Sequence, residues 1–568
     1  MDRNDISEVR KRVAERWCNY QTDQDRTDSN KRHHSEEKVD IKSAEVIDLT
    51  NSSDEETDCD IETNKSIFVK ESDENELSEG NAVLVDNPFR LIKSDIYDTG
   101  RNGNPVVGSS YFITMGEIFG DKSLRKTFLF SFQFDLDFIL SFFKHKTIER
   151  ITIVAQEGTI LPVRSRYLRP MMEIVQIIQF RMPAFSCHHS KMIINFYEDN
   201  SCKIFIPSNN FTYMETNLPQ QVCWVSPRLP EASGTPPENK FKKNLFKYIY
   251  SYQDKRVRQV LSYLREIDFN SLSNVEFVYS VPSKSSVSGF KQLAALLLKN
   301  STKEDFSTPT DIQHHYLCQT STIGGSISKK FPLNLFTGIM IPTFSRLIEF
   351  NTEPNSRSKS ASPEDMIEQL NSHNIKPYLV YPTVEEIRNS PSGWSCSGWF
   401  NFRYQKNNEQ YLSLLNDFKC FYKQNANLIS KHRKATPSHS KFYLKSKTSV
   451  KSNSNNPFDI LDWCVYTSAN LSVSAWGTSS RLARNYEVGI LFQSTPELQI
   501  KCKSFVDVIY RKGSKLSDTA PSCNTVNVMV PFTLPCSPYD TTKDEAFCIS
   551  KNYDLPDING EYFEPESS

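Results

Sequence analysis

Two short runs of this chain carry the same pair of reactive side chains at the same spacing, His189-Ser190-Lys191 and His439-Ser440-Lys441. Side chains two apart on an extended strand share a face, so each pair sets an imidazole beside a fixed positive charge. Such a pair suits phosphate: one group attacks or moves a proton, the other neutralises an oxygen. The stretch after each pair repeats as well. His189-Ser190-Lys191 opens Met192-Ile193-Ile194-Asn195-Phe196, then a turn at Glu198–Ser201, then Lys203–Ile206 ending at Ser208-Asn209. His439-Ser440-Lys441 opens Phe442-Tyr443-Leu444, and after an insertion Trp463–Tyr466 ends at Ser468-Ala469-Asn470. Each half then supplies a further strand, one headed by Gln221 and the other by Glu487. A lone histidine is most often a surface or core residue, but two in matched surroundings are an internal repeat. Were the halves to pack face to face, two histidines, two lysines and two asparagine amides would converge on one phosphate.

The chemistry is self-consistent. An imidazole titrates at about 6.5, so one histidine can be a neutral nucleophile while the other is a protonated acid, provided their surroundings differ. Glu487 beside one and Gln221 beside the other would supply that difference; which orients which stays open, since Glu487 can lie on His439 of its own half or across on His189. Two lysines would stabilise the transition-state charge, so no metal and no cofactor is expected.

Elements that would hold these residues alternate along the chain. Order begins near Asn87-Pro88-Phe89. Thr127–Phe132 and Ile151–Ala155 read as strands around a helix through Phe138–Phe143. Phe290–Lys299 reads as a helix, and Lys376–Val380 and Trp463–Tyr466 as strands. Ser/Asn/Lys-rich stretches at Asn351–Ser362 and Ser446–Asn456 read as surface insertions. Strands separated by helices predict an α/β protein, with domains at 81–290 and 291–568 after a tail at 1–80.

Composition agrees. Hydrophobic residues make up 38% and charged residues 24%, a soluble globular profile diluted by something polar. No apolar stretch approaches the roughly 20 residues of a membrane helix, and the N-terminus lacks a signal-peptide core. The 13 cysteines form no Cys-x-x-Cys pair and read as reduced thiols. Residues 1–80 hold 23 acidic and 12 basic side chains, leaving 45 and 55 downstream. An acidic, disordered tail on a basic body fits a polyanionic ligand. Within the tail, Val46-Ile47-Asp48-Leu49 followed by acids resembles a SUMO-interacting strand, and Arg10-Lys11-Arg12 is too short to be a clear import signal.

The paired motifs resemble those of the phospholipase D superfamily. Its usual signature carries an aspartate five residues after the lysine; here those places hold Phe196 and Ser446. That departure is similar to the tyrosyl-DNA phosphodiesterase branch, as are Phe134-Asp135-Leu136-Asp137, Phe185–Met192, Ala475-Trp476-Gly477 and Tyr486–Gly489. The resemblance spans about residues 85–568. It implies two α-β-α sandwich domains related by a pseudo-twofold, and a monomeric nuclear DNA-repair enzyme. Its substrate would be a single-stranded or duplex DNA 3′ end joined to a topoisomerase I tyrosine or peptide. It further implies that His189 attacks phosphorus, that His439 protonates the leaving group and then activates water, and that Lys191, Lys441, Asn209 and Asn470 bind phosphate oxygens. Phe185 would stack on a base, and Ser321, Thr322 and Ser472 would hold backbone phosphates. His188 should face away from the site, and His314-His315 and His33-His34 read as surface residues. Two rivals stand beside this reading: another phospholipase D-type nuclease or lipid hydrolase, and a non-catalytic DNA-end scaffold.

Overall fold

The computed structural model describes residues 87–565 except 99–110, 235–237, 284–286, 301–310, 329, 331, 349–361, 403, 426–435, 452–454 and 507–524. The tail expected at 1–80, with Val46–Leu49, Arg10–Arg12 and His33-His34, lies outside the described residues. So does nearly all of Asn351–Ser362.

The described residues belong to one compact unit, Ala82–Ser568, built on two eight-stranded sheets. The first uses β1 (Phe89–Ile92), β2 (Phe112–Ile113), β3 (Leu124–Phe130), β4 (Arg150–Gln156), β5 (Val175–Phe180), β6 (Met192–Tyr197), β7 (Cys202–Pro207) and β8 (Val222–Val225), in the order β2-β1-β8-β7-β6-β3-β4-β5. The second uses β9 (Glu276–Ser280), β10 (Ile312–Gln319), β11 (Ile375–Val380), β12 (Phe421–Lys423), β13 (Phe442–Ser449), β14 (Trp463–Thr467), β15 (Glu487–Gln493) and β16 (Ser537–Pro538), in the order β9-β15-β14-β13-β10-β11-β12-β16. Without the edge strands β2 and β16, the two orders coincide. So do the senses: β3, β4 and β5 run parallel like β10, β11 and β12, and every other matched pair is antiparallel. The repeat seen in the motifs is therefore a repeat of whole sheets. β9 joins the second sheet although it precedes residue 290, because its register with β15 runs from Glu276↔Leu491 to Ser280↔Glu487.

Alternation along the motif strands decides the layers. Met192, Ile194 and Phe196 enter the core shared between the sheets, where Phe442, Leu444 and Tyr466 also lie. Ile193 and Tyr197 face the outer core of the first sheet, and Tyr443 that of the second. Helices fill all three layers: Leu136–Leu140 outside the first sheet, α1 (Lys240–Ser251) within the shared core, and α2 (Phe290–Asn300) outside the second. Phe89 locks the sheets together, its ring 5.8 Å from Phe442 and 5.6 Å from Tyr466. The Tyr466 hydroxyl, on the second sheet, reaches the carbonyls of Ile206 (3.0 Å) and Val222 (2.8 Å) on the first. Beneath it Gly489 lets β15 approach β14: a Cβ there would stand 2.5 Å from the Tyr466 carbonyl oxygen.

Two expectations fail. His314 and His315 are buried, 4% and 3% exposed, because β10 is a central strand; His315 bonds the hydroxyls of Tyr378 (3.1 Å) and Thr448 (2.8 Å). Ser446–Asn456 is not wholly an insertion, since β13 continues to Ser449, paired with Ile312.

Candidate active site

Each His-x-Lys segment is extended and immediately precedes its strand, β6 or β13. Each is held by the opposite half. His189 donates its backbone N–H to the Tyr486 carbonyl at 3.0 Å, and His439 donates its own to the Gln220 carbonyl at 2.9 Å. Those two carbonyls belong to the residues just before Glu487 and Gln221. The backbone crossing thus delivers each second-strand head to the histidine of the other half.

The side chains obey the same rule. His189 Nδ1 lies 2.9 Å from Glu487 Oε2. Ser468 Oγ donates to Glu487 Oε2 at 2.6 Å, and Asn485 Nδ2 to Oε1 at 3.0 Å, so the carboxylate cannot swing. His439 Nδ1 lies 3.4 Å from Gln221 Nε2 and also 3.4 Å from Glu215 Oε1. Glu487 therefore orients His189, Gln221 attends His439, and a second buried carboxylate appears that sequence reading missed. Glu215 sits in the short helix Tyr213–Asn217, where it accepts from the Asn210 backbone N–H (2.7 Å) and Nδ2 (2.9 Å). Ser208 Oγ holds Gln221 Oε1 at 2.5 Å. Both imidazoles spend Nδ1 on these partners and keep Nε2 for chemistry.

Lys191 and Lys441 are 0% and 1% exposed. Each ammonium donates to its own histidine's carbonyl, at 3.1 Å and 2.8 Å. Among the described residues no other acceptor takes their remaining protons. Two desolvated cations with unspent donors form a receptor for an anion. The charges leave their mark on the titrations. Burial drives the Lys191 ammonium below its ordinary value, and the Lys441 ammonium well below it with help from Lys191. Burial and then Lys441 push His439 down to about 3, against Glu215. Burial also lowers His189, against Glu487. Burial opposes ionisation of Glu487, yet the charge and hydrogen bond of His189 hold it below the usual carboxylate range.

The asparagines break the symmetry. Asn470 Oδ1 accepts the hydroxyls of Thr320 and Ser321, both at 3.1 Å, leaving its Nδ2 to donate outward. Asn209 does the reverse. Its Nδ2 donates to the Asn210 carbonyl (2.9 Å) and to Thr216 Oγ1 (2.8 Å), whose own proton goes to the Thr212 carbonyl. Both amide hydrogens are spent and the buried Oδ1 lacks a partner. The expectation that Asn209 donates to phosphate is corrected accordingly, because the helix turn carrying Thr216 captures its amide.

Other expected contacts are mixed. Phe185 stands at the rim, 40% exposed, in a left-handed conformation (φ 61°), with the Arg484 guanidinium 5.8 Å from its ring centre. Positive φ is costly for a bulky side chain, by about 1–3 kcal/mol. Ser321 acts on Asn470 as described. Thr322 pairs through its backbone with Asn401, and Ser472 caps the helix Val473–Trp476 by accepting from the Ala475 N–H at 3.2 Å. His188 faces away from the site as alternation requires, bonding the Ser131 carbonyl (3.1 Å) and the Tyr252 hydroxyl (2.7 Å). Among the described residues no group of three His, Cys, Asp or Glu side chains could hold a metal ion, and no helix is long and apolar enough to cross a membrane.

Two histidine–lysine pairs meeting across matched sheets, each imidazole gripped from the other side, form the arrangement that a phospholipase D-type phosphodiester enzyme requires. Comparison with known proteins narrows the class. Residues 90–540 match the family described as tyrosyl-DNA phosphodiesterase. Tyrosyl-DNA phosphodiesterase 1 of Saccharomyces cerevisiae is 39% identical over 562 residues, covering 96% of this chain and 97% of the yeast protein. A probable tyrosyl-DNA phosphodiesterase of Caenorhabditis elegans is 25% identical over 81% of this chain and 93% of its own. The crystal structure of the yeast enzyme superposes with a TM-score of 0.70 at 40% identity, covering 82% of this chain and 99% of that one. The chain belongs to the tyrosyl-DNA phosphodiesterase family and is a phosphodiester hydrolase.

Proposed function

We propose that the protein hydrolyses the 3′-phosphotyrosyl bond between DNA and a topoisomerase I tyrosine or its peptide remnant, through a phosphohistidine and without a metal. The observation that carries this is the pair of Nε2 atoms left free when both Nδ1 atoms are engaged. A proton on His189 Nδ1 facing Glu487 leaves the Nε2 lone pair to attack phosphorus. The P–O bond to tyrosine breaks, and His439 Nε2 delivers a proton to the departing oxygen. His439 then accepts a proton from water, whose oxygen displaces His189 and leaves a 3′-phosphate. Lys191, Lys441 and Asn470 Nδ2 take the non-bridging oxygens, where developing charge is greatest. A phosphodiester between the two lysines also offsets their share in lowering His439, so substrate arrival favours the proton the acid needs. The substrate makes the nucleus the place of work.

The test is a gel assay of a 3′-phosphotyrosyl oligonucleotide in EDTA. Wild type should yield a 3′-phosphate, His189→Ala should yield nothing, and His439→Asn should accumulate a covalent protein–DNA species. Cleavage that demands added metal would overturn the mechanism. A protein that binds such ends yet never cleaves them would instead be a scaffold.

A further inference from the structure

The first half carries cationic charge that the protein itself leaves unmatched. Between Thr159 and Ser186 stand four arginines (164, 166, 169 and 181) and a single acid, Glu173. Some arginines elsewhere are ion-paired: Arg125 with Glu198 at 2.6 Å, Arg228 with Asp199 at 3.1 Å, Arg388 with Glu385 at 2.9 Å. Among the described residues the guanidinium groups of Arg166, Arg169 and Arg181 make no hydrogen bond or ion pair, and Arg164 acts only by its charge on Asp135. In their midst Tyr167 is 94% exposed.

This is a built turn. The Asp137 carboxylate accepts the backbone N–H groups of Arg164 and Ser165, each at 3.1 Å, at the start of the helix Leu136–Leu140. Leu168 and Met171 close the next turns with bonds to Ser165 (3.2 Å) and Leu168 (3.0 Å). Tyr167 is thus held out in water by a fixed backbone. An exposed ring among cations is open to a flat, negatively charged ligand.

Both ends of the segment are anchored beside the first histidine motif. The segment leaves the end of β4, where Gln156 Oε1 accepts the His188 backbone N–H at 3.2 Å. Ile160 pairs with Phe134, which also bridges to Phe211, two residues beyond Asn209. The return strand β5 ends at Phe180, whose ring centre is 5.1 Å from that of His188; Arg181 comes next, and then the rim residue Phe185.

We propose that the Arg164–Arg169 turn, together with Arg181, is a docking surface for DNA beyond the nucleotide that His189 attacks. The arginines take strand phosphates and Tyr167 lies against a base. Guanidinium groups match phosphate oxygens in pairs, and aromatic faces accept any base, which suits an enzyme blind to sequence. The proposal rests on the substrate class proposed above and adds a second place where that substrate is held.

The experiment compares wild type with Arg164→Ala/Arg166→Ala/Arg169→Ala and with Tyr167→Ala. These side chains bond nothing within the protein, so folding should be unaffected. Three substrates are used: thymidine 3′-(p-nitrophenyl phosphate), an oligonucleotide of about 16 nucleotides ending in 3′-phosphotyrosine, and one nucleotide joined to a tyrosyl peptide. The triple variant should raise KM about tenfold for the oligonucleotide, with kcat and both one-nucleotide substrates unchanged. Its dependence of log KM on log salt should flatten by about 2, at roughly 0.7 for each phosphate no longer bound. Unchanged oligonucleotide KM, or a rise confined to the peptide substrate, would overturn the proposal; the latter would make the turn a peptide surface. Anisotropy titration with a plain 3′-hydroxyl oligonucleotide separates the two readings. A weaker Kd in the triple variant sustains the surface even if phosphotyrosyl cleavage fails, and an equal Kd refutes it even if cleavage succeeds.

Discussion

Glu215→Gln is the substitution that most sharply tests how His439 works. It is nearly isosteric, and one of the two Asn210 donors keeps an oxygen acceptor. What disappears is a negative charge 3.4 Å from His439 Nδ1. At an effective dielectric of about 20, a full charge pair at that distance is worth about 5 kcal/mol. The bond is long, so the low end of a charge-assisted hydrogen bond, about 1.5 kcal/mol, is the better expectation for the transition state. That corresponds to roughly tenfold in rate. The same charge sets the sign of the pH effect. Glu215 raises the proton affinity of His439, so its loss lowers an already depressed pKa and moves the limb on which activity falls with rising pH to lower pH. Rapid-quench single turnovers with a 3′-phosphotyrosyl oligonucleotide would read adduct formation and resolution separately across pH. With His439 as the proposed donor to the leaving oxygen, the defect in adduct formation should nearly vanish with p-nitrophenol, a far better leaving group. An equal defect with both leaving groups, or an unmoved pH limb, would refute the assignment of Glu215 to the acid.

Other residues give independent checks. Thr320→Val with Ser321→Ala frees the Asn470 amide to turn; kcat should fall about tenfold with KM little changed in steady-state assays, and an unaltered kcat would deny Asn470 its place on the phosphate. Tyr466→Phe removes the hydroxyl shared by the Ile206 and Val222 carbonyls and should cost about 1–2 kcal/mol, read as a lower urea midpoint. Gly489→Ala forces a methyl against the Tyr466 carbonyl and should destabilise by about 1–3 kcal/mol, with loss of activity at elevated temperature. Glu386, half-buried where it accepts the Thr383 and Gln424 N–H groups, is pushed up to about 7 by desolvation. A raised carboxyl binds its proton more tightly folded than unfolded, so its contribution declines as pH climbs from the ordinary carboxylate range through 7. Urea melts at pH 5 and pH 8 should differ more for wild type than for Glu386→Gln.

Much of this site was legible in the residues because it is written twice. The two His-x-Lys runs, the strands after them and the heads Gln221 and Glu487 repeat in order, and a repeated pattern survives loops of unequal length. His188 was readable for a simpler reason: in an extended chain the neighbour of an inward residue points outward. Glu215 escaped because it has no echo; the corresponding turn after Asn470 is Val473–Trp476, with no acid. Asn209 misled because an amide's type says that it donates, while the fold of the next turn, through Thr216 and the Asn210 carbonyl, decides to whom. His314-His315 look exposed in isolation, and only the strand order places them at the centre of a sheet. Ser446–Ser449 reads as polar surface because this end of β13 pairs with β10 alone and can carry serine and lysine.

The crossing of partners between the halves has a consequence for ancestry. A single half, standing alone, would present a histidine whose Nδ1 faced no Glu487, Gln221 or Glu215, and a lone ammonium beside it. It becomes a working unit only against a second copy that lends its own strand head in return. A protein of one such half would therefore have had to function as a symmetric homodimer, with identical histidines obliged to share both roles. Joining two copies in one polypeptide would remove that obligation. Each could then drift separately, one toward Glu487 and the other toward Gln221 with Glu215, and so specialise for a different step of the same reaction.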